Sequence, residues 1–255
     1  MARFFIEMAY NGKNYHGWQV QPNAITVQEV MDDCLNKILR EAVSIVGCGR
    51  TDTAVHASYF VAHFDSEKNE IDEQHFCYKM NRILPKDIAV YSITKVDNET
   101  HSRFTATSRR YEYHIADYKT PFNHEFSYLP YYKLDYDLMN EAAALLFNYI
   151  DFTSFSKLHT DAKTNNCKIY QAQWDKVGDK WIFSIKADRF LRNMVRAIVG
   201  TLLEVGRGKI GVKEFASIIE QKDRGKAGSS APGNALFLVD VEYPDTLFKS
   251  KHLVQ

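Results

Sequence analysis

The chain has 255 residues, of which 45% are hydrophobic and 25% charged, with 32 basic and 32 acidic side chains. This length allows one large domain or two small ones, with a core that needs no disulfide or metal for stability. The balanced charge excludes a uniformly basic protein, so a nucleic-acid partner would require a local basic patch.

The cysteines and histidines give no sign of a disulfide framework or a metal site. The four cysteines are far apart in the sequence, and the nine histidines are scattered. We therefore expect small buried thiols in a reducing compartment, and no metal. The N-terminal apolar run ends at Glu7, too early for a signal peptide, and no run approaches membrane-spanning length. A cytoplasmic protein is expected.

The first half of the chain predicts the order β-α-β-β-α-β. Apolar runs predict strands at residues 3–10, 43–46, 58–64 and 88–96. Helical spacing of apolar residues predicts helices at 27–39, opened by a capping box at Thr26, and at 73–84.

The second half repeats this order. Strands are predicted at 110–116, 169–177, 180–187 and 236–243, and helices at 136–148, 190–205 and 212–221. We therefore predict an α+β protein of two tandem ferredoxin-like (βαββαβ) halves with antiparallel sheets, residues 1–105 and 106–255. Residues 119–132 are expected to form a long loop, and residues 221–234 a mobile loop of the kind that orders on binding.

The first candidate site is the stretch GCGRTDTAVHA, residues 47–57. An aspartate between two threonines, as at Asp52, is ordinarily a turn former. The alternative is a carboxylate kept ionised by Arg50, which suits attack on an electrophilic carbon better than proton shuttling. His56 could be a general base, but the strand that follows favours a structural histidine.

The second candidate is the segment from Arg189 to Arg196. At about 100° per residue, Arg189, Arg192 and Arg196 share one sector of the predicted helix. A solvated basic face is the ordinary interpretation. The alternative is an anion-facing stripe, where Gly200 would let a backbone approach closely.

The third candidate lies around the strand at 110–116. Alternation predicts Tyr111 and Tyr113 on one face and Arg110 on the other. Two core tyrosines beneath a charged outer face are the ordinary interpretation. The alternative places Arg103 and Arg110 beside an aromatic ring, a combination that binds unpaired bases and their phosphates.

Taken together, these segments resemble the tRNA pseudouridine synthase A family. The matching stretches are YNGKNYHGWQ, VQEVMDDCL, GRTDTAVHA, LPKDIAV, HSRFTATSRRYEYHI, DFTSF, FLRNMVRAIVGTLLEVG and LFLVDVEYP. They span nearly the whole chain, and the Gly-Arg-Thr-Asp segment is the most specific of them. The resemblance implies an isomerase that converts uridine to pseudouridine in the anticodon stem-loop of tRNA, at tRNA positions 38 to 40. It also implies no cofactor or metal, a homodimer whose tRNA contacts both subunits, and two halves flanking a basic, catalytic cleft.

By position, the resemblance implies that Asp52 is the catalytic aspartate, Arg50 the arginine paired with it and Arg196 a second arginine near it. It further implies that Tyr111 stacks on the target uracil and that Leu236 packs in the pocket. The remaining arginines expected to bind substrate are Arg103, Arg110, Arg189 and Arg192.

The chain departs from the family pattern at two positions. Ala54 and Ala235 stand where the family has glycine. Because alanine is strained at positive φ, we expect an ordinary φ at both.

Two rival functions stay open. One is a nucleoside or glycosidic hydrolase that uses Asp52 with water, although these motifs lack a clear second carboxylate. The other is an RNA-binding protein without catalysis, although RNP-like aromatic strand motifs are missing.

Overall fold

A computed structural model of the chain describes residues 1–122, 124–157, 164–245 and 247. The eight strands in this part of the chain are β1 (Ala2–Tyr10), β2 (Val46–Gly47), β3 (His56–Ser66), β4 (Ile88–Val96), β5 (Ser108–Ala116), β6 (Ile169–Val177), β7 (Lys180–Ala187) and β8 (Leu236–Glu242). The five α-helices there are α1 (Val27–Leu39), α2 (Glu73–Ile83), α3 (Tyr136–Ala144), α4 (Met194–Gly206) and α5 (Val212–Glu220). The predicted order of strands and helices in this mixed α/β fold is confirmed.

The chain divides into two compact units, and each is described by itself. The first unit is Met1–Thr107 together with the chain from Leu238, and the second is Ser108–Phe237. In the first unit β1 is central and pairs antiparallel with β3 and β4. In the second unit β7 is central and pairs antiparallel with β5 and β6.

Helix α1 follows its sequence signals closely. The Thr26 hydroxyl accepts a hydrogen bond from the Glu29 N–H at 3.3 Å, as the predicted cap requires. The helix buries five residues on one side: Val27, Met31, Cys34, Leu35 and Leu39. These residues supply much of the apolar contact between this helix and the core.

Strand β2 is shorter than the predicted 43–46 and lies at Val46–Gly47. The backbone N–H of Val43 donates to Asn36 Oδ1 at 2.8 Å, and that of Ile45 donates to Asp32 Oδ1 at 2.7 Å. Because side chains of α1 accept hydrogen bonds from these two backbone N–H groups, the groups are not used in strand pairing, and β2 begins only at Val46.

Helix α4 begins at Met194 and not at residue 190, so the predicted arginine sector is wrong. Its N-cap, Asn193, has φ +66, a left-handed conformation that interrupts a helix. Arg189 and Arg192 precede the helix, and only Arg196 lies on it. Helical spacing therefore does not relate the three arginines.

The predicted close approach at Gly200 is real, but the approaching backbone belongs to the chain itself. A Cβ on Gly200 would lie 1.8 Å from the Ser229 carbonyl oxygen. The Gly228 N–H donates to Thr201 Oγ1 at 3.0 Å on the same helix. Gly200 serves intramolecular packing between α4 and this segment.

Residues 221–234, for which a mobile loop is predicted, make hydrogen bonds within the segment and to α4. The Arg224 guanidinium donates to the Gly228 carbonyl and to Ser230 Oγ, each at 3.1 Å. Arg196 Nε on α4 donates to the Ala231 carbonyl at 2.7 Å. These bonds satisfy loop carbonyls that would otherwise require water.

The other long loop, 119–132, matches its prediction. In the described residues of this segment, all except 123, there is no helix and only an isolated bridge, between Tyr128 and Ile115. Among the helices that the structure describes, none combines the length and apolar character needed to cross a bilayer.

Ala54 contradicts the expectation of an ordinary backbone. Its φ is +61, in the left-handed region. Two hydrogen bonds hold it there: the Ala54 N–H donates to the Tyr15 carbonyl at 3.2 Å, and the Val55 N–H donates to the Asp52 carbonyl at 3.2 Å. Ala235 is absent from the positive-φ residues of the described chain, so the expectation there is confirmed.

His63 of β3 is buried in the first unit, and its imidazole is kept neutral. Its Nδ1 accepts the Ser102 N–H at 3.2 Å, and the Ser102 hydroxyl lies 2.8 Å away. Burial, together with the positive charge of Arg3, lowers the pKa of His63 to about 4.

Replacing Ala54 by glycine should stabilise the protein by about 0.5–1 kcal/mol. Relief of left-handed strain contributes about 1–2 kcal/mol, and the greater freedom of unfolded glycine offsets about 0.4–1 kcal/mol of this. Urea denaturation measures the change. The matched control is Ala235→Gly, which should destabilise because its φ is ordinary and its side chain is buried. Stabilisation by both variants would contradict this account.

The free energy of unfolding should fall by about 3 kcal/mol through His63 as the pH drops from about 6.5 to about 4. In this range unfolded His63 binds a proton that the folded protein excludes, so acid favours unfolding. Urea denaturation across this range tests it. His63→Asn keeps a side-chain acceptor without a titrating ring and should show a shallower pH slope. Equal slopes would disprove the assignment.

Candidate active site

Asp52 lies in the first unit, on the loop between β2 and β3, and its side chain is half-buried. The loop leaves the sheet at Cys48, whose N–H still donates to the Val61 carbonyl at 2.8 Å. It re-enters at His56, the first residue of β3. The loop is therefore anchored to the same strand, β3, at both ends.

The segment after β1 holds this loop by direct backbone contact. The Trp18 N–H donates to the Thr51 carbonyl at 3.1 Å. A Cβ on Gly17, whose φ is +88, would lie 2.4 Å from the Thr51 oxygen, and one on Gly12 would lie 2.0 Å from the Val55 oxygen. Only glycine fits at these two positions, which explains the glycines of YNGKNYHGWQ.

Side chains also fix the segment that holds the loop. The Tyr15 hydroxyl donates to Asp87 Oδ1 at 2.6 Å, and Asn14 Nδ2 donates to Asp87 Oδ2 at 3.1 Å. Burial and the Asp87 carboxylate raise the pKa of Tyr15. The Asn11 N–H donates to the Asp87 carbonyl at 2.8 Å. Asp87, from the stretch LPKDIAV, thus braces the segment that positions Asp52.

Thr51 and His56, which lie on either side of Asp52 in the chain, have structural roles. Tyr10 and Thr51 share a hydrogen bond between their hydroxyls at 2.9 Å. His56 is 1% exposed, and its Nδ1 accepts the Gly12 N–H at 3.0 Å. This bond places the ring proton of neutral His56 on Nε2. The interpretation of His56 as a structural histidine is confirmed.

Arg50, two residues before Asp52 on the same loop, is exposed. The intervening Thr51 is buried through its bond to Tyr10, which leaves Arg50 on the solvent side.

Tyr111 lies in the second unit, on β5, opposite Ile185 of β7. It is 9% exposed, and its ring meets that of Phe190 edge to face, with centroids 5.2 Å apart. The predicted alternation of β5 is confirmed: Tyr111, Tyr113 and Ile115 are buried, whereas Arg110, Glu112 and His114 are half-buried.

Arg110 lies on the outer face of β5 and is paired within its own strand. Its guanidinium lies 3.1 Å from Glu112 Oε1, and His114 Nε2 lies 3.3 Å from the other oxygen. These two groups lower the pKa of Glu112, the His114 contact being the larger cause. The paired Glu112 reduces the charge that Arg110 offers to a phosphate.

Arg196 and Leu236 also lie in the second unit. Arg196 is half-buried, and its bond to the Ala231 carbonyl orients the guanidinium. Leu236 is 4% exposed and begins β8 directly after the buried Ala235. Arg109, which sequence reasoning left out, is buried and donates to the Asp188 carbonyl at 2.9 Å.

The structure gathers basic residues that the sequence keeps apart. The Lys157 N–H donates to the Arg192 carbonyl at 3.0 Å. Asp188 Oδ1 accepts the N–H groups of Lys168 at 2.8 Å and of Arg189 at 2.7 Å. Lys157 thus lies beside Arg192, and Lys168 beside Arg189; we call these four residues, with Tyr170, the basic surface.

Tyr170 adds an aromatic ring to the basic surface. The Lys168 ammonium lies 5.7 Å from its ring centroid, and the ring is partly exposed. Sequence reasoning missed Lys157, Lys168 and Tyr170. Their only local signal was a lysine two residues before a tyrosine at the start of a strand.

In the described residues, no three His, Cys, Asp or Glu side chains meet in a way that could hold a metal ion. The chemistry available on these residues is that of one carboxylate, aromatic rings and arginines.

The sequence of the chain is similar to those of known proteins. A family model described as tRNA pseudouridine synthase matches residues 142–244. A tRNA pseudouridine synthase A from Parabacteroides distasonis is 59% identical over 248 residues, covering 97% of this chain and 98% of the relative. One from Bacteroides thetaiotaomicron is 57% identical, covering 98% and 94%. One from a Thermoanaerobacter species is 39% identical, covering 95% and 100%. Because the similarity extends over nearly the full length of the chain and its relatives, the chain belongs to the tRNA pseudouridine synthase A family.

Proposed function

We propose that the protein isomerises uridine to pseudouridine in the anticodon stem-loop of tRNA, at tRNA positions 38 to 40, with Asp52 as nucleophile or base. The observation that carries the proposal is the way the Asp52 loop is held. Backbone contacts at Gly12 and Gly17 position the half-buried carboxylate. Fixed placement of a reacting group contributes strongly to catalysis, since small displacements are costly.

One carboxylate is sufficient for this reaction. The bond between C1′ and N1 of uridine breaks, the uracil turns, and C5 bonds to C1′ while the C5 proton is finally replaced by one on N1. Asp52 either attacks C1′ and is later displaced by C5, or takes a proton from the sugar and returns it. Glycosidases need a second carboxylate to protonate the leaving group or activate water. Here the uracil anion is recaptured, so neither task arises.

The arginines take separate roles in this proposal. Arg50, on the same loop as Asp52, keeps that carboxylate ionised. Arg196 is the second catalytic arginine of this proposal, and its bond to the Ala231 carbonyl orients its guanidinium. The basic surface, with Arg189 and Arg192, binds phosphates, together with Arg103 and Arg110.

Tyr111 stacks on the target uracil, and the edge of Phe190 holds its ring in place. Leu236 supplies apolar contact to the same base. Turning the base out of its stack costs a few kcal/mol, and least in a loop or at a stem end. This cost favours the anticodon arm as substrate.

The proposal includes two ferredoxin-like halves that flank a catalytic cleft, a homodimer whose tRNA contacts both subunits, and a cytoplasmic location. The β-α-β-β-α-β order of elements in each half of the chain supports the two-half fold. A hydrolase would release free uracil, and an RNA-binding protein would leave uridine unchanged, so product analysis separates both rivals from the proposal.

Asp52→Asn should lower pseudouridine formation by on the order of 10⁴-fold while tRNA binding persists, because the amide can neither attack C1′ nor take a sugar proton. Mapping pseudouridine in tRNA after incubation with each variant measures this. Thr53→Ala, an exposed neighbour on the same loop, is the matched control and should stay active. Appreciable activity of Asp52→Asn would exclude the catalytic role.

Arg189→Ala and Arg192→Ala should each weaken tRNA binding and reduce the salt dependence of log K by roughly 0.7 to 0.9, the value for one lost phosphate contact. Binding titrations at several salt concentrations measure both effects. Lys37→Ala removes an exposed lysine of α1 that is paired with Asp33 and should change neither. Unchanged slopes for the two arginine variants would mean that the basic surface is merely solvated.

A further inference from the structure

The turn between β4 and β5 presents an aromatic ring to solvent. Phe104, within this turn, is 76% exposed, whereas many phenylalanines of the chain, such as Phe60 and Phe64, are buried. A single exposed apolar side chain needs no explanation by itself. Phe104 differs from such a residue because hydrogen bonds hold the turn that carries it in a defined conformation.

The turn is held in one conformation by His101. Its Nδ1 accepts the N–H groups of Arg103 at 3.1 Å and of Phe104 at 3.4 Å. The His101 N–H donates to Thr105 Oγ1, and the Thr105 N–H donates to the His101 carbonyl, both at 2.9 Å. These four bonds close the turn at both ends.

The turn is also tied to the core of the first unit through Ser102. The Tyr243 hydroxyl donates to the Ser102 carbonyl at 2.6 Å, and the Ser102 hydroxyl donates to the Val46 carbonyl at 2.7 Å. The His101 ring lies between two others, 4.6 Å from His63 and 4.4 Å from Phe104. The contact between His63 and His101 is edge to face and that between His101 and Phe104 is tilted, so the exposed ring is the outer end of a row of ring contacts that begins in the core.

A cation accompanies this ring. The Arg103 guanidinium is exposed and lies 5.6 Å from the Phe104 ring centroid. An aromatic ring on which a base can stack, with a cation beside it for the phosphate, is the arrangement that binds unpaired nucleotides. Because the ring is already held, stacking costs little side-chain entropy.

We propose that Phe104 and Arg103 form a stacking site for one unpaired base of the tRNA substrate, in which the base stacks on the exposed Phe104 ring and Arg103 binds the adjoining phosphate. This inference rests on the proposed function, since it requires that the chain acts on tRNA. It assigns to Phe104 a role in substrate binding and none in the chemical step.

Phe104→Ala should raise the Kd for tRNA by about tenfold, since base stacking on an aromatic ring contributes about 1–3 kcal/mol. Phe104→Tyr keeps a stacking ring and should bind like the wild type. Tyr78→Ala removes an exposed ring of α2, 62% exposed in the same unit, and should have no effect. Fluorescence anisotropy with labelled tRNA gives all four affinities.

Phe104→Trp provides a direct readout of stacking. Trp18 and Trp174 are buried and Trp181 is half-buried, so an indole in place of the Phe104 ring adds a more exposed emitter. Its emission should be quenched on addition of tRNA, and emission from Tyr78→Trp should not change. Absence of quenching together with wild-type affinity of Phe104→Ala would overturn the proposal.

Two other outcomes are distinguishable. If Phe104→Ala lowers the sedimentation coefficient of the protein and the emission of Phe104→Trp is quenched by self-association alone, a second copy covers the ring and the stacking site is wrong. If the wild-type protein forms no pseudouridine in any tRNA, the proposed function fails. An active wild type with unaltered Phe104→Ala affinity and unquenched Phe104→Trp emission rejects only the stacking site.

Discussion

The backbone contact between the segment after β1 and the Asp52 loop is the constraint on which the rest of the first unit depends. Gly12 and Gly17 allow carbonyl oxygens of the loop to come closer than any side chain would permit. Asp87 fixes the same segment from the other side. The loop that carries Asp52 is thereby bonded on both sides, although loops are ordinarily the mobile parts of a fold. Its strained residue, Ala54, shows that these contacts outweigh a local backbone preference.

The second unit applies the same principle to Arg196. Gly200 admits the backbone of Ser229 against α4, and the chain beyond it returns a carbonyl to the Arg196 side chain. The guanidinium is therefore oriented by the protein before any substrate arrives. In both units the absence of a side chain on glycine allows a close backbone contact, and this contact positions a candidate site residue.

Sequence reasoning succeeded where the signal was local. The cap at Thr26, the alternation of Tyr111 and Arg110 along β5, and the structural nature of His56 depend on spacing over a few residues. It failed where a distant partner changed the local backbone. The left-handed Ala54 is held by Tyr15, and the late start of α4 follows a left-handed Asn193, which no spacing of arginines could indicate.

The sequence by itself determined the order of strands and helices and the family of the chain, because hydrophobic period and motif order are written along the chain. Only the tertiary structure decided that Arg50 faces solvent, that residues 221–234 are tied to α4, and that Lys157, Lys168 and Tyr170 join Arg189 and Arg192. Such relations depend on hydrogen bonds between segments far apart in sequence. Residue type and spacing cannot specify which distant carbonyl a side chain will meet.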